Sequence, residues 1–353
     1  MKIALVTDLH FGARNDNLKM ASHQKKFYDE VFFPYLKEHN IKEIIDLGDT
    51  FDRRKYISFT SLKAAKAMFF DPLKENNIKT HMIVGNHDTV YKNTNELNSI
   101  YLLLQEYDNI IEYENPTEIQ IDGLDILLLP WINLGNQQET FDLMKRTKAQ
   151  VVMSHLELKG FEFMRGHIMH DGMDHKIFEK FDLVYSGHYH HKSTEGNITY
   201  LGCPYEMTWQ DYQDEKGFHI FDTETRELTR VVNPFNMFHK LWYDDQEMDF
   251  ETIANTDFEQ YKDSFVKVII KNKTNPYLFD SYIERLEKHD LVNLQIVEDH
   301  LNLDLEDTED IINEAEDTVT ILDKYVDGLE INANKDKVKT VMRELYNEAL
   351  TIA

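Results

Sequence analysis

Five short runs of β-branched and aliphatic residues occur in the first 190 positions of the chain, and a polar motif follows each of them. Such runs are typical of strands that are buried on both faces. The runs cover residues 3–7, 41–47, 81–84, 150–153 and 181–186. Because strand ends of this kind can meet at one edge of a sheet, we expect the loops after them to lie together and to carry a functional site.

Between these strands, apolar residues recur at helical spacing. They predict a helix over residues 22–40, with Ser22 as its N-cap and a kink at Pro34, and further helices over residues 58–70 and 95–106. Later strands are predicted over residues 125–131, 151–153, 183–185, 198–201 and 217–221. This alternation indicates an α/β (α+β) protein with more sheet than one parallel layer needs. We therefore expect two stacked sheets with helices outside, a four-layer αββα sandwich.

The pattern changes near Asn233-Pro234, and no motif with metal-binding chemistry follows. A strand at 265–270, a helix at 276–288 and a strand at 291–297 predict a small α/β capping domain. Two short amphipathic helices are predicted near the end, and their apolar faces either pack on the chain's own domain or contact a partner. The predicted parts are a main domain at 1–235, a capping domain at 236–300, an acidic linker at 301–317 and a helical region at 318–353.

The charge balance limits the classes of protein that fit. The formal net charge is −26, which argues against a protein that coats nucleic acid with a basic surface. The acidity is concentrated late in the chain, because residues 244–353 carry 28 acidic and 11 basic residues. A nucleic-acid substrate therefore stays open, provided that metals, local patches or a partner supply the attraction.

The single cysteine, Cys203, excludes an internal disulfide and a zinc site made of thiolates, and we expect a buried thiol. No charged and apolar leader precedes the first motif, and no apolar run reaches the roughly 18 residues that a membrane helix needs. We therefore expect a soluble protein that acts in the cytoplasm and has no membrane partner.

The polar motifs contain the residue types that a two-metal phosphoesterase needs. They are Asp8-Leu-His10, Gly48-Asp49-Thr-Phe-Asp52, Gly85-Asn86-His87-Asp88, Ser154-His155 and Gly187-His188-Tyr-His190. Each motif alone is weak, because short pairs such as Asp-x-His recur by chance. The whole set, in this order and with each member after a strand, is a specific signal.

Spacing assigns metal chemistry to several of these side chains. Two metal ions about 4 Å apart need a bridging carboxylate, and Asp49 suits that place because it follows a strand and a glycine. Residues two apart in an extended segment project to one side, so Asp8 and His10 can hold one ion.

The remaining motifs complete the predicted site. His188 and His190 also share one side and can serve different ions, while Asn86 and His155 are candidates for the second metal. Imidazole combined with carboxylate and amide oxygens favours manganese, with iron or zinc as competitors, and fits magnesium badly. His87 follows Asn86, which places it against the substrate as a proton donor to the leaving oxygen or as a stabiliser of transition-state charge.

Three neighbouring residues are weaker candidates. Asp88 is expected to orient the His87 imidazole. Asp52 either contacts the substrate or caps the helix that follows it. Arg53 either contacts the substrate or is a solvated surface charge.

Together these motifs resemble those of the calcineurin-type metallophosphoesterases and, within them, the SbcD and Mre-eleven nucleases of DNA double-strand-break repair. The similarity also includes Leu128-Leu-Pro130-Trp131 and Tyr200-Leu-Gly-Cys-Pro204, and it is strong over residues 1–240. It implies that His87 is the catalytic imidazole. It also implies two ligand sets, one made of Asp8, His10, Asp49 and His190 and the other of Asp49, Asn86, His155 and His188.

The resemblance further implies an activity and partners. Relatives of this type are manganese-dependent DNA nucleases, with 3′ to 5′ exonuclease and single-strand endonuclease activity, in repair, recombination and replication. They act as homodimers, with contacts expected here at residues 20–28 and 55–68, and their C-terminal helices hold the coiled coil of an SMC-like ABC ATPase. Archaeal relatives have histidine where this chain has Asp52, so the role of Asp52 stays open.

Two other functions stay open at this point. A small-molecule or phosphoprotein phosphoesterase would use the same metal core, and a scaffold without metal would keep only the fold. The predicted cap and terminal helices favour the nuclease, whereas the acidic balance mildly favours the other phosphoesterases. The scaffold is disfavoured because every expected ligand is present.

Overall fold

The computed structural model describes residues 1–298 together with residues 326, 335, 337–339, 341 and 342. The chain divides into two compact units, residues 1–300 and 301–353.

Seventeen strands lie in the described part of the first unit. In chain order they are β1 (Lys2–Val6), β2 (Glu43–Asp46), β3 (Lys79–Ile83), β4 (Ile110–Tyr113), β5 (Thr117–Ile121), β6 (Leu124–Leu129), β7 (Val151–His155), β8 (Glu162–Met164), β9 (His167–Ile168), β10 (Leu183–Gly187), β11 (Ser193–Glu195), β12 (Ile198–Tyr200), β13 (Gly217–Asp222), β14 (Leu228–Val232), β15 (Phe238–Asp244), β16 (Phe265–Asn272) and β17 (Asn293–Val297).

Two six-stranded sheets form the centre of this unit. The first sheet has the order β14-β13-β1-β2-β3-β4, and the second has the order β11-β12-β10-β7-β6-β5. Strands β1 to β4 run parallel, as do β6, β7, β10 and β12, while β13, β14, β5 and β11 join antiparallel at the edges. The carboxyl ends of the parallel strands in both sheets carry the five motifs.

Alternating side chains create the layers. In β1, Ile3 and Leu5 join the core between the two sheets, whereas Ala4 and Val6 join the core between the first sheet and its helices. A third core, which includes Val152 of the second sheet, lies on the outer face of that sheet. The expected αββα sandwich is therefore confirmed.

Nine helical segments lie beside the sheets, and the first of them is a left-handed turn in which Arg14, Asn15 and Asp16 have positive φ angles. They are α1 (Ala13–Asp16), α2 (Leu18–Phe27), α3 (Phe33–Glu38), α4 (Phe59–Ala65), α5 (Asp71–Glu75), α6 (Ser99–Leu103), α7 (Gln137–Arg146), α8 (Phe250–Asn255) and α9 (Pro276–Glu287), all within the described range 1–298.

The helix predicted from residue 22 begins earlier, and Ser22 is not its cap. The Asn17 side chain accepts hydrogen bonds from the backbone N–H groups of Lys19 (2.9 Å) and Met20 (3.1 Å), so α2 begins at Leu18. The Ser22 hydroxyl instead donates to the Leu18 carbonyl within the helix, at 2.9 Å. Asparagine and serine cap helices about equally well, so the entry path of the chain decided between them.

A widened turn precedes a proline in two helical segments. π-Helical turns at Tyr28–Phe32 and Lys66–Phe70 separate α2 from α3 and α4 from α5, and Pro34 and Pro72 lie in the first turn of the following helix. Proline has no N–H group and its ring clashes with the carbonyl four residues earlier, so a wider turn accommodates it. At Pro34, where a kink was predicted, the structure has a π-helical turn before the proline.

The helix predicted at 95–106 is much shorter, since only Ser99–Leu103 is helical. The Asn98 side chain accepts from the Tyr101 N–H group at 2.8 Å and starts the helix there. Asn95 instead uses its amide group to donate to two backbone carbonyls of neighbouring loops, at 3.0 Å each.

A small parallel sheet of order β15-β16-β17 follows the sandwich. The predicted strand, helix and strand correspond to β16, α9 and β17, but β15 was not predicted. Tyr243, Val268 and Leu278 belong to the core of this sheet, whereas Phe238 and Phe265 belong to the core of the main sandwich. The small sheet thus shares part of the sandwich core, and the boundary placed at residue 235 stays a prediction.

In the second unit, every described residue is helical, which covers residues 326, 335, 337–339, 341 and 342. The predicted linker at 301–317 and the rest of the helical region at 318–353 lie outside the described residues. Across the part of the chain that is described, no helix combines the length and the apolar character needed to cross a bilayer.

Candidate metal centre

The loops after the strands of both sheets meet at one place. The Asp8 N–H group donates to the Gly48 carbonyl at 2.9 Å, which joins the loops after β1 and β2. Across the sandwich, the His188 N–H group donates to both carboxylate oxygens of Asp8 at 3.1 Å, and His155 Nδ1 donates to the Leu47 carbonyl at 2.7 Å. These contacts hold the two sheets together at the candidate site.

Glycines allow this close approach. A Cβ atom on Gly85 would lie 2.2 Å from Oδ1 of Asp49, and one on Gly187 would lie 1.9 Å from the Thr7 hydroxyl. Both separations are far inside van der Waals contact, so any larger residue would push the loops apart. The glycines of the motifs therefore serve the packing of neighbouring loops.

Several candidate ligands have an unusual backbone conformation. Positive φ angles occur at Asp8 (53°), His10 (43°), Asp49 (57°) and His188 (90°). Such angles are uncommon outside glycine and cost of order 1–3 kcal/mol each, so the surrounding structure must hold them. Backbone strain of this kind concentrates at functional sites.

One group of candidate ligands comprises Asp8, His10 and His190. One potential ligand atom from each lies within 4.8 Å of the others. His10 Nε2 is 3.1 Å from His190 Nε2, and His190 Nε2 is 4.0 Å from Oδ1 of Asp8.

The second group comprises Asp49, His155 and His188, under the same 4.8 Å limit. His155 Nε2 is 3.3 Å from Oδ2 of Asp49. Oδ1 of Asn86 lies 2.9 Å from His155 Nε2 and 2.8 Å from His188 Nδ1. Because Oδ2 of Asp49 is also 3.9 Å from His10 Nε2, Asp49 lies between the two groups.

The charges in this cluster depend strongly on burial. Burial lowers the pKa of His188 to about 3 and that of His190 well below 6.5, and positive neighbours add to the effect. Burial also opposes charge on His10 and His155, but acidic neighbours raise the pKa of each to about 9, first Asp52 and then Asp49 for His10, and mainly Asp49 for His155. His188 and His190 are therefore neutral imidazoles that can donate lone pairs, whereas His10 and His155 hold protons that a bound cation would displace.

This donor set fits a pair of borderline metal ions. Deprotonated imidazole nitrogens only 3.1 Å apart repel each other unless a proton or a cation lies near both. Four imidazoles, two carboxylates and one amide oxygen match manganese, iron or zinc better than magnesium. All seven predicted ligands are thus brought together, while their assignment to particular ions stays a prediction.

His87 lies beside these groups without joining either. Its Nδ1 donates to the Asp52 carbonyl at 2.6 Å, which makes Nε2 the lone-pair nitrogen of the neutral ring, and its backbone N–H donates to Oδ1 of Asp49 at 2.7 Å. The imidazole centroid is 4.8 Å from that of His10. Burial lowers the pKa of His87, partly offset by the Asp49 carboxylate.

Asp88 does not orient His87 as predicted. Its carboxylate accepts from the backbone N–H groups of Asp49 (2.9 Å), Thr50 (3.1 Å) and Gly85 (2.9 Å), while the His87 imidazole donates to a backbone carbonyl instead. A carboxylate with several backbone donors fixes loop geometry. Asp88 therefore holds the loops after β2 and β3 together.

The two alternatives for Asp52 and Arg53 are partly resolved. Oδ1 of Asp52 is 3.4 Å from His10 Nδ1, and Ser58 caps α4, so Asp52 does not cap that helix. The Arg53 guanidinium donates to Asn15 and to the Tyr56 hydroxyl, both at 2.5 Å. Arg53 is therefore held by contacts within the protein, and its contact with a substrate stays a prediction.

Sequence reasoning missed two residues near the site. Nε of Arg54 donates to the backbone carbonyl of Asn86 at 2.6 Å. Nζ of Lys216 donates to the carbonyl of His190 at 2.8 Å and forms ion pairs with Asp211 (2.6 Å) and Asp214 (2.8 Å). Neither residue belongs to a motif, and no spacing in the sequence distinguishes it from other basic residues.

The buried Lys216 network yields a stability prediction. Lys216→Met is expected to lower the free energy of unfolding by about 3–5 kcal/mol, because it removes the lysine cation that pairs with two buried carboxylates. Denaturant unfolding should show a lower midpoint at an unchanged slope. The control is Lys145→Met, whose side chain is 77% exposed and pairs weakly with Asp142, so its effect should stay within about 0.5 kcal/mol.

The same network gives this effect a pH dependence. Burial opposes charge on Asp214, but a hydrogen bond from His191 and the charge of Lys216 lower the pKa of Asp214 to about 2. The carboxylate therefore stabilises the fold above its ordinary pKa near 3.8, and this contribution is lost as the pH falls towards 2. A Lys216→Met variant with the unfolding midpoint of the wild type would contradict the prediction.

Comparison with known proteins agrees with this geometry. The family model described as calcineurin-like phosphoesterase matches residues 1–192. Exonuclease subunit 1 of Enterobacteria phage T4 is 29% identical over 99% of both chains. The DNA double-strand break repair protein Mre11 of Methanocaldococcus jannaschii is 24% identical over 82% of this chain and 74% of the relative. SbcD, a subunit of the nuclease SbcCD from Staphylococcus saprophyticus, is 22% identical over 68% of this chain and 70% of the relative.

These similarities confirm the resemblance to the SbcD and Mre-eleven type and the assignment of the chain as an enzyme of phosphodiester chemistry. The matched residues include every strand that precedes a metal-binding motif, and both groups of candidate ligands lie inside them. The chain belongs to the calcineurin-like phosphoesterase family.

Proposed function

We propose that the chain is a manganese-dependent DNA nuclease that hydrolyses phosphodiester bonds with two metal ions. Its activities are 3′ to 5′ exonuclease and single-strand endonuclease cleavage, in double-strand-break repair, recombination and recombination-dependent replication. Three relatives with nuclease or DNA-repair names support this proposal, and the T4 exonuclease subunit covers nearly the whole chain.

The observation that carries the proposal is the pair of buried ligand groups with Asp49 between them. Asp8, His10, Asp49 and His190 would hold one ion. Asp49, Asn86, His155 and His188 would hold the other. When bound, such a pair supplies a water of lowered pKa and neutralises phosphate charge, which answers the two main barriers to phosphodiester hydrolysis.

Protein groups supply the remaining requirements. Hydrogen bonds from His188 N–H and from the Thr7 hydroxyl (2.8 Å) hold the Asp8 carboxylate in place. His87 keeps one ring orientation through its Nδ1 contact with the Asp52 carbonyl, so Nε2 is the ring nitrogen available to take up a proton and pass it to the leaving oxygen. Asp52 lies 3.4 Å from His10 Nδ1, where its charge favours one orientation of that imidazole.

The choice of manganese rests on the donor set. Iron or zinc would suit the same mixture of nitrogen and oxygen, whereas magnesium prefers a shell of oxygens and water. The hydrolytic activity of the purified protein, measured with each metal in turn, should therefore be higher with manganese than with magnesium.

The proposed assembly is a homodimer that binds DNA together with an SMC-like ABC ATPase. Two of the relatives are named as subunits, which supports a partner. Tyr56 and Phe59, at 62% and 91% exposure, lie in the segment where dimer contacts are expected. The proposed place of action is the cytoplasm, in a bacterial host if the chain is encoded by a phage.

A cleavage assay tests the proposal. With manganese, the purified protein is expected to shorten linear duplex DNA from 3′ ends and to cut circular single-stranded DNA. EDTA should abolish both activities, and the Asp49→Asn variant, prepared in parallel, controls for contaminating nucleases.

The competing function is a small-molecule or phosphoprotein phosphoesterase, which shares the metal core. Turnover of nucleotides or phosphopeptides without any cleavage of DNA would favour that alternative.

A further inference from the structure

Two adjacent arginines after the Gly48-Asp49 motif have different surroundings. Arg53 turns away towards the α1 segment, where it contacts Asn15 and lies 3.6 Å from a carboxylate oxygen of Asp16. Arg54 turns towards the metal centre, where it contacts the backbone of Asn86. The sequence alone gives no reason to separate them.

The Arg54 guanidinium makes one hydrogen bond and one cation–π contact within the protein. Its Nε donates to the Asn86 carbonyl at 2.6 Å, and its guanidinium carbon lies 5.1 Å from the centroid of the Trp131 ring. The backbone of Trp131 is fixed by three hydrogen bonds. Its backbone N–H donates to the Val84 carbonyl, and its backbone carbonyl accepts from the side-chain amides of Asn95 and Asn136 at 3.0 and 2.9 Å. A cation–π contact and one anchored nitrogen restrict the positions that a guanidinium can adopt.

The terminal nitrogens of Arg54 remain available. Within residues 1–298 and the other described positions, Arg54 makes its one hydrogen bond through Nε, and its side chain is partly exposed. Its contact with the backbone of Asn86 places it beside a residue whose side-chain oxygen lies 2.9 Å from His155 and 2.8 Å from His188. A planar pair of N–H donors beside a metal centre matches the oxygens of a phosphate.

We propose that Arg54, supported by Trp131, is the phosphate-binding arginine of this enzyme and contacts a non-bridging oxygen of the phosphodiester at the metal centre. Nε stays on the Asn86 carbonyl while the two terminal nitrogens bind the substrate. The inference rests on the phosphodiester chemistry of the family and does not require the substrate to be DNA.

The arrangement separates substrate binding from metal binding. The Asn86 carbonyl also accepts from the Thr89 hydroxyl at 3.2 Å, so it keeps a hydrogen bond when Arg54 is replaced. Asn86 would bind a metal ion through its side-chain oxygen, which lies 2.9 Å from His155 Nε2 and 2.8 Å from His188 Nδ1. Loss of the guanidinium should therefore weaken substrate binding and leave the metal ligands in place.

The test uses the full chain loaded with manganese and the small diester bis(p-nitrophenyl) phosphate. Arg54→Gln is expected to lower kcat/KM by about tenfold to a hundredfold, as for the loss of one charged hydrogen-bond donor. It should raise the inhibition constant of inorganic phosphate by at least about tenfold and still bind two manganese ions per chain. Arg54→Lys should recover part of the loss, since it restores the charge without the planar fork.

Two matched variants sharpen the result. Arg226→Gln removes an exposed charge that pairs with Asp182 and controls for net charge. Arg53→Gln removes the same charge one position away from Arg54. A larger loss in Arg53→Gln, or phosphate inhibition unchanged in Arg54→Gln, would overturn the proposal. So would loss of manganese from Arg54→Gln, because Arg54 would then act through Asn86.

The outcome is independent of the proposed nuclease function. If the wild type hydrolyses the small diester and never cleaves DNA, the nuclease proposal fails while the comparison of Arg54 and Arg53 still gives its answer. If DNA is cleaved and the arginine variants do not differ, the inference on Arg54 fails alone.

Discussion

Asp49→Asn is expected to reduce phosphodiester hydrolysis by about a thousandfold or more, because a metal pair contributes several kcal/mol to the transition state. Asp49 is the one carboxylate within reach of both ligand groups among the described residues, at 3.3 Å from His155 and 3.9 Å from His10. Asparagine keeps the shape and removes the charge. Manganese titration should find fewer than two ions per chain in the variant and two in the wild type.

The control for Asp49→Asn is Asp125→Asn, which changes a carboxylate that contacts Gln120 at the exposed side of the second sheet. That variant should bind two ions and keep the activity of the wild type. An Asp49→Asn protein with two tightly bound ions and normal turnover would remove the basis for a shared carboxylate.

His87→Ala is expected to bind both ions and to lose turnover by about 10² to 10⁴-fold, the usual range for removal of a general acid or base. The reason is its position: the imidazole touches the Asp52 carbonyl and the edge of His10 but belongs to neither ligand group. Metal content and kcat should be measured on the same preparation. Replacement of the exposed His167 by alanine is the matched control.

Loss of metal from His87→Ala would show that the imidazole is a ligand. Unchanged turnover with both ions bound would show that the proton for the leaving oxygen comes from another group. The two results are distinguishable, since the first appears in the metal analysis and the second in the rate.

The convergence of the candidate ligands was predictable because each follows a buried strand and because parallel strands deliver their ends to one edge. The two stacked sheets were also predictable, because the later runs of apolar residues give more strands than one parallel layer needs. These features depend on local periodicity, which the sequence contains directly.

Other features depend on the path of the chain in three dimensions. Asn17 and Ser22 are both good caps, and only the course of the α1 segment selects Asn17. Arg53 and Arg54 are chemically identical, and the loop decides which one meets Asn86. Lys216 reaches His190 across 26 positions, and Asp88 meets the loop after β2 across 38 or 39, so no spacing rule could reveal either contact.

The order in which the chain is synthesised has a consequence for the cell that makes it. Asp8 and His10 leave the ribosome early, but their partner His190 follows β10 of the second sheet, and β13, which pairs with β1, comes later still. A nascent chain therefore holds only part of each group of candidate ligands until the two sheets pack against each other. The enzyme is therefore expected to hydrolyse phosphodiesters only after its tertiary structure is complete.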